Sequence, residues 1–79
     1  MMTLRHRKTK IAVRDFAQAS AVYSTMRDQS GEGGSTFRDG RICDERGRVI
    51  ARVSYNGRVW AAGEWKSGDV PLFDNRVGV

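Results

Sequence analysis

Val53-Ser54-Tyr55-Asn56-Gly57-Arg58-Val59-Trp60 sets an Asn-Gly pair between two strand-like runs. This is the strongest short hairpin signal, because a two-residue type I′ turn needs positive φ at both central positions and Asn and Gly tolerate it. With Asn56 and Gly57 as the loop, Tyr55 is expected opposite Arg58, Val53 opposite Trp60, and Ala51 opposite Ala62. Val49, Val53, Tyr55 and Trp60 then share a face, assigned to the core. Upstream, Asp44-Glu45-Arg46-Gly47 reads as a second turn, pairing Ile42 with Val49 and Cys43 with Arg48. The expectation is a three-stranded meander over 41–62.

Side chains alternate across a strand, so the same register predicts the opposite face. It holds Arg41, Cys43, Arg48, Ile50, Arg52, Ser54, Val59 and Ala61. Three arginines among small and aliphatic residues make a basic, partly apolar surface. An ordinary solvated face, with arginine stems lying over Ile50 and Val59, fits the pattern equally well.

Toward the N-terminus, Thr9-Lys10-Ile11-Ala12-Val13 alternates weakly and reads as a first strand. Asp15 offers a helix N-cap, and Phe16, Ala19, Tyr23 and Met26 recur on one helical face. Gly31 supplies the stop. Ser30-Gly31-Glu32-Gly33-Gly34-Ser35-Thr36 reads as a flexible connection, with contact to a partner as its functional alternative. It is no phosphate-binding glycine loop, because it runs from helix to strand and no lysine follows. Beyond Ala62, Pro71 interrupts the apolar run Val70-Pro71-Leu72-Phe73, leaving at best an edge strand or a strap. No internal repeat stands out. The predicted fold is α+β, in the order β-α-β-β-β, one helix on an antiparallel sheet. It forms one domain over 1–79, with a basic N-terminal arm at 1–8 and an irregular tail at 63–79.

Composition narrows the function. A chain of 79 residues has room for one domain only. No apolar run approaches a membrane span, and no signal-peptide core follows Met1. One cysteine and one histidine leave no disulfide framework and no zinc cluster. Cys43 and His6 have no catalytic companion at a recognisable spacing, and the carboxylates are interleaved with arginines as surface pairs. The expectation is a binding protein without enzymatic activity, metal or cofactor.

The net charge of +5 is unevenly placed. Arg5, Arg7, Lys8, Lys10 and Arg14 precede the first acid, Asp15, and from there on acids and bases balance. A basic run suits phosphate backbones or an acidic protein surface, and it equally suits a strand edge protected against pairing. With Tyr55 and Trp60 on the core face, the arginine face lacks aromatics. That argues against base stacking and for backbone or protein-surface contact. One helix cannot build a helix-turn-helix, so weak, salt-sensitive DNA binding is the nucleic-acid expectation. The strand near the N-terminus would either pair across a dimer axis or be covered by the tail, giving a homodimer or a monomer.

Four strings together resemble a family of very small phage and prophage proteins. They are Phe16-Ala17-Gln18-Ala19-Ser20 through Tyr23, Ser30 through Phe37, Asp39-Gly40-Arg41-Ile42, and Ser54 through Trp60. In size and layout the chain is most similar to anti-CRISPR proteins of type I systems. The resemblance implies a stoichiometric inhibitor in the cytoplasm of an infected bacterium. It would bind Cas subunits of the CRISPR surveillance complex and block target-DNA binding or nuclease recruitment. Under that reading Arg5, Arg7, Lys8 and Lys10 give electrostatic capture, and Arg48, Arg52 and Arg58 give bidentate contacts to carboxylates. The alternative is a small basic nucleic-acid-binding accessory or regulatory protein of phage origin.

Overall fold

The computed structural model describes residues 1–33, 36–63 and 70–74. The elements are β1 (Met2–His6), β2 (Thr9–Val13), α1 (Phe16–Ser30), β3 (Gly40–Cys43), β4 (Val49–Val53) and β5 (Val59–Ala61). One antiparallel sheet runs in the spatial order β2-β1-β3-β4-β5, with α1 across one face. The α+β architecture is the one the sequence predicts, with one strand more.

That strand corrects the reading of 1–8 as a basic arm. Met2–His6 lies inside the sheet, between β2 and β3. Leu4 and His6 are buried while Arg5 is exposed, so the alternation is regular beneath the charge. The β1–β2 turn is Arg7-Lys8, and Arg7 takes φ 56°, a conformation usually left to Gly, Asn or Asp. No turn residue announces it. His6 is accordingly a core residue: it stacks on Phe37 at 4.3 Å and meets Tyr23 edge-on at 5.9 Å.

The helix follows its signals. The Asp15 carboxylate accepts from the Gln18 amide at 2.8 Å, and Gly31 closes the helix at φ 69°. Ala19 and Tyr23 are fully buried, with Phe16, Val22 and Met26 packed beside them. The buried Ser20 hydroxyl donates to the Gly57 carbonyl at 2.6 Å, and the Arg27 guanidinium donates to the Tyr55 carbonyl. These bonds fasten the β4–β5 hairpin to the helix.

The hairpin itself is one residue out of the predicted register. Val53 lies opposite Val59, Arg52 opposite Trp60, and Ala51 opposite Ala61. The Ser54 amide donates to Arg58 and the Gly57 amide to Ser54, so the loop has three residues. Of these, Gly57 has positive φ (91°) and Asn56 does not. A type I turn closed by a left-handed glycine therefore replaces the two-residue turn. The slip turns β5 over, because strand faces alternate. Val59 becomes fully buried, Trp60 leaves the core side, and Tyr55 is left 36% exposed at the turn.

The β3–β4 turn repeats this geometry, with Asp44, Gly47 and Arg48 in the places of Ser54, Gly57 and Arg58. Sequence repeats with it: Gly47-Arg48-Val49-Ile50-Ala51 against Gly57-Arg58-Val59-Trp60-Ala61. A bulge on β4 then shifts the pairing, with Ile42 opposite Ala51 but Cys43 opposite Val49. Val49 is thereby moved off the core face and is 44% exposed. Cys43 lies across the sheet from Ile42 as predicted, yet it is buried. In the tail, Phe73 bridges Val59 and covers the β5 edge; the rest of 63–79 lies outside the described residues apart from Gly63 and 70–74.

The register is testable by stability. Val59→Ala should lower the unfolding free energy by about 2 kcal/mol, since a fully buried valine contributes about that much. Trp60→Ala should cost less, which urea denaturation followed by circular dichroism would measure. A larger cost at Trp60 than at Val59 would restore the two-residue turn.

Candidate nucleic-acid interface

The sheet face opposite α1 is the candidate site. Arg5 faces Lys10 across β1–β2, Arg41 across β1–β3, and Arg41 faces Arg52 across β3–β4. Arg52 in turn faces Trp60 on β5. Directly opposed residues share a face, so Lys10, Arg5, Arg41, Arg52 and Trp60 form one row across all five strands. Neighbouring positions in such a row are about 5 Å apart. Four cations in adjacent places repel one another, and like charges directly opposite destabilise a sheet. Nothing in the packing calls for them.

The ends of the row are chemically distinct. Arg52 donates to the Asp39 carboxylate at 3.2 Å and lies 5.9 Å from the centre of the Trp60 ring. The Trp60 indole N–H donates to the Ser54 hydroxyl at 3.0 Å, which fixes the ring while leaving it partly exposed. Toward the middle, Arg5, Arg7, Arg38, Asp39 and Arg41 line a cleft of about 250 Å³.

The cleft has a rigid wall. The Tyr23 hydroxyl donates to the Arg38 carbonyl at 2.9 Å, tying the segment before β3 to the helix. Gly40 lies so close beneath it that a Cβ there would come within 2.9 Å of the Tyr23 ring. Burial of the phenol, reinforced by the Asp39 carboxylate, pushes the Tyr23 pKa up to about 12. The neutral phenol is therefore favoured by folding. Its contribution is complete below the unfolded value of about 10 and is lost as pH rises from there through about 12. An alkaline titration should show loss of stability across that window in the wild type. Tyr23→Phe should remove the part due to this phenol; an unchanged profile in Tyr23→Phe would contradict it.

The predicted contact residues divide into two groups. Arg5, Lys10 and Arg52 stand in the row, and Lys8 is exposed in the β1–β2 turn. Arg7 is held by Glu32 at 2.9 Å, by the Thr36 carbonyl at 3.1 Å, and against the Phe37 ring. Arg58 is partly buried beside Asp74, its Nε 3.5 Å from the carboxylate but without hydrogen-bond geometry. Arg48 is exposed in the β3–β4 turn. The glycine loop is described only in part, at residues 31–33 and 36. Four members of the site were not among the predicted contacts: Arg38, Asp39, Arg41 and Trp60. Arg41 carried a signal in its predicted face, Arg38 had none, and Trp60 was hidden by the register slip.

Among the described residues no cluster of His, Cys, Asp and Glu is arranged to hold a metal ion, and no helix is long and apolar enough to cross a membrane. Comparisons with protein-family models, curated proteins and solved structures find no match to this chain, so the reading of the face rests on its own chemistry.

Proposed function

We propose that this chain is a non-enzymatic binding domain that holds single-stranded nucleic acid along the outer face of its sheet. It would serve as a small basic accessory or regulatory protein in the bacterial cytoplasm. The observation that carries the reading is the row Lys10–Arg5–Arg41–Arg52 ending on Trp60. Cations at short, regular intervals neutralise successive phosphates, and a partly exposed indole offers a base a stacking surface. The argument against stacking depended on Trp60 facing the core, and β5 is turned the other way. A row of opposed like charges also gains stability from a polyanion that separates them.

The test is fluorescence anisotropy with a labelled oligothymidylate at several salt concentrations. Four phosphate contacts predict a slope of log K against log salt of about −3, at roughly 0.7 per contact for single strands. Trp60→Ala should weaken binding about tenfold, consistent with one stacked base, and leave the slope unchanged. Binding that is salt-independent, or indifferent to Trp60, would remove the support for this reading.

A second reading, anti-CRISPR inhibition of a type I surveillance complex, uses the same face. Arg52 already engages a carboxylate, Asp39, and the neighbouring guanidiniums could do the same with an acidic Cas subunit. Capture of complex subunits that survives nuclease digestion, together with no affinity for the oligonucleotide, would favour it over the first.

A further inference from the structure

We infer that the cleft between Arg5, Arg38 and Arg41 is a receptor for the terminal phosphate of a nucleic-acid strand, whose body lies along the cationic row. This inference rests on the single-strand reading and specifies which part of the strand is recognised.

The cleft is built differently from the rest of the face. Four guanidiniums, from Arg5, Arg7, Arg38 and Arg41, surround it with one carboxylate, Asp39. That carboxylate is occupied by Arg52, and Arg7 is held by Glu32 and the Thr36 carbonyl. Among the described residues, the side chains of Arg5, Arg38 and Arg41 have no ion pair or hydrogen bond. Three uncommitted guanidiniums around one cavity exceed what an internal phosphodiester, with its single charge, would use. A terminal phosphomonoester carries close to two negative charges at neutral pH and three strong acceptor oxygens. Planar guanidiniums present paired donors that match those oxygens.

Position and rigidity agree with this assignment. Arg5 and Arg41 belong to both the row and the cleft, so a strand on the row passes directly into it. Arg38 lies off the row and lines the cleft. Its backbone is clamped by the Tyr23 hydroxyl, and Gly40 allows that close approach. The backbone that carries Arg38 is therefore fixed before an anion arrives, which reduces the ordering cost of binding.

The experiment compares labelled oligothymidylates ending in a 5′-phosphate, a 3′-phosphate or hydroxyls at both ends, against the wild type and Arg38→Ala. The substitution removes an exposed side chain and leaves the carbonyl that Tyr23 holds. One phosphorylated end should bind the wild type about tenfold more tightly than the hydroxyl-ended strand, and Arg38→Ala should lose that preference. Thymidine 5′-monophosphate alone should bind far more weakly than either strand. Equal binding of all three strands would overturn end recognition and leave the single-strand reading standing. Retention of the preference in Arg38→Ala would overturn the cleft assignment, as would a mononucleotide affinity equal to the strand's. Binding of no strand would overturn the inference and the proposed function together.

Discussion

Tyr23→Ala is expected to lower the unfolding free energy by about 3–5 kcal/mol, the range for deleting a large buried aromatic. A domain of 79 residues has roughly 4–12 kcal/mol in total, so much of the chain should be unfolded near physiological temperature. Tyr23 is fully buried and lies between the His6 ring, the Phe37 ring at 5.3 Å and the backbone of Gly40. Removing it empties the junction of α1, β1 and the segment leading into β3. It also deprives the Arg38 carbonyl of its donor. Tyr23→Phe keeps the volume and should cost only about 1 kcal/mol, the net worth of one hydrogen bond. Urea denaturation separates the two. A loss under about 1 kcal/mol for Tyr23→Ala would contradict this view of the core.

Arg5→Glu should move stability and binding in opposite directions. Its carboxylate would stand between Lys10 and Arg41, replacing two like-charge oppositions by two favourable ones. Stability should rise by about 0.5 kcal/mol, within the range for cross-strand charge pairs. Affinity for single-stranded DNA should fall by about tenfold to a hundredfold at low salt, because one phosphate contact becomes a repulsion. Arg14→Glu changes net charge equally but lies beyond the end of β2, outside the row; its effect on affinity should stay within about threefold. A general loss of affinity tracking net charge alone, equal in both variants, would refute the row as a site.

The helix and the first predicted strand were legible because their signals are local. Asp15 caps, Gly31 stops, and the stripe from Phe16 to Met26 needs only the helical period. β1 was hidden because Arg5 and the basic turn after it read as a charged arm. The alternation of Met2, Leu4 and His6 lies beneath that charge, and Arg7 adopts positive φ without being a residue that favours it. The hairpin was legible in kind but not in register. An Asn-Gly pair serves a two-residue loop and also a three-residue loop whose last residue is the left-handed glycine. Which forms is settled at a distance, by Val59 filling the core and by Ser20 bonding the Gly57 carbonyl.

That one-residue choice also governs the site. With β5 in the predicted register, the arginine face has no aromatic and suggests only diffuse attraction. With β5 as it stands, Arg52 leads onto Trp60 and the face gains a stacking end. Arg41 completes the row only once β1 is placed beside β3, a long-range pairing that no local pattern announces.

The most direct test of the outer face as the interface is a titration of isotope-labelled protein with oligothymidylate, followed by amide chemical shifts. The account predicts perturbations concentrated at Arg5, Lys10, Arg41 and Arg52 and at the indole N–H of Trp60. Perturbations confined to the exposed side of α1, at Ala21, Thr25 and Gln29, or none at saturating oligonucleotide, would contradict it.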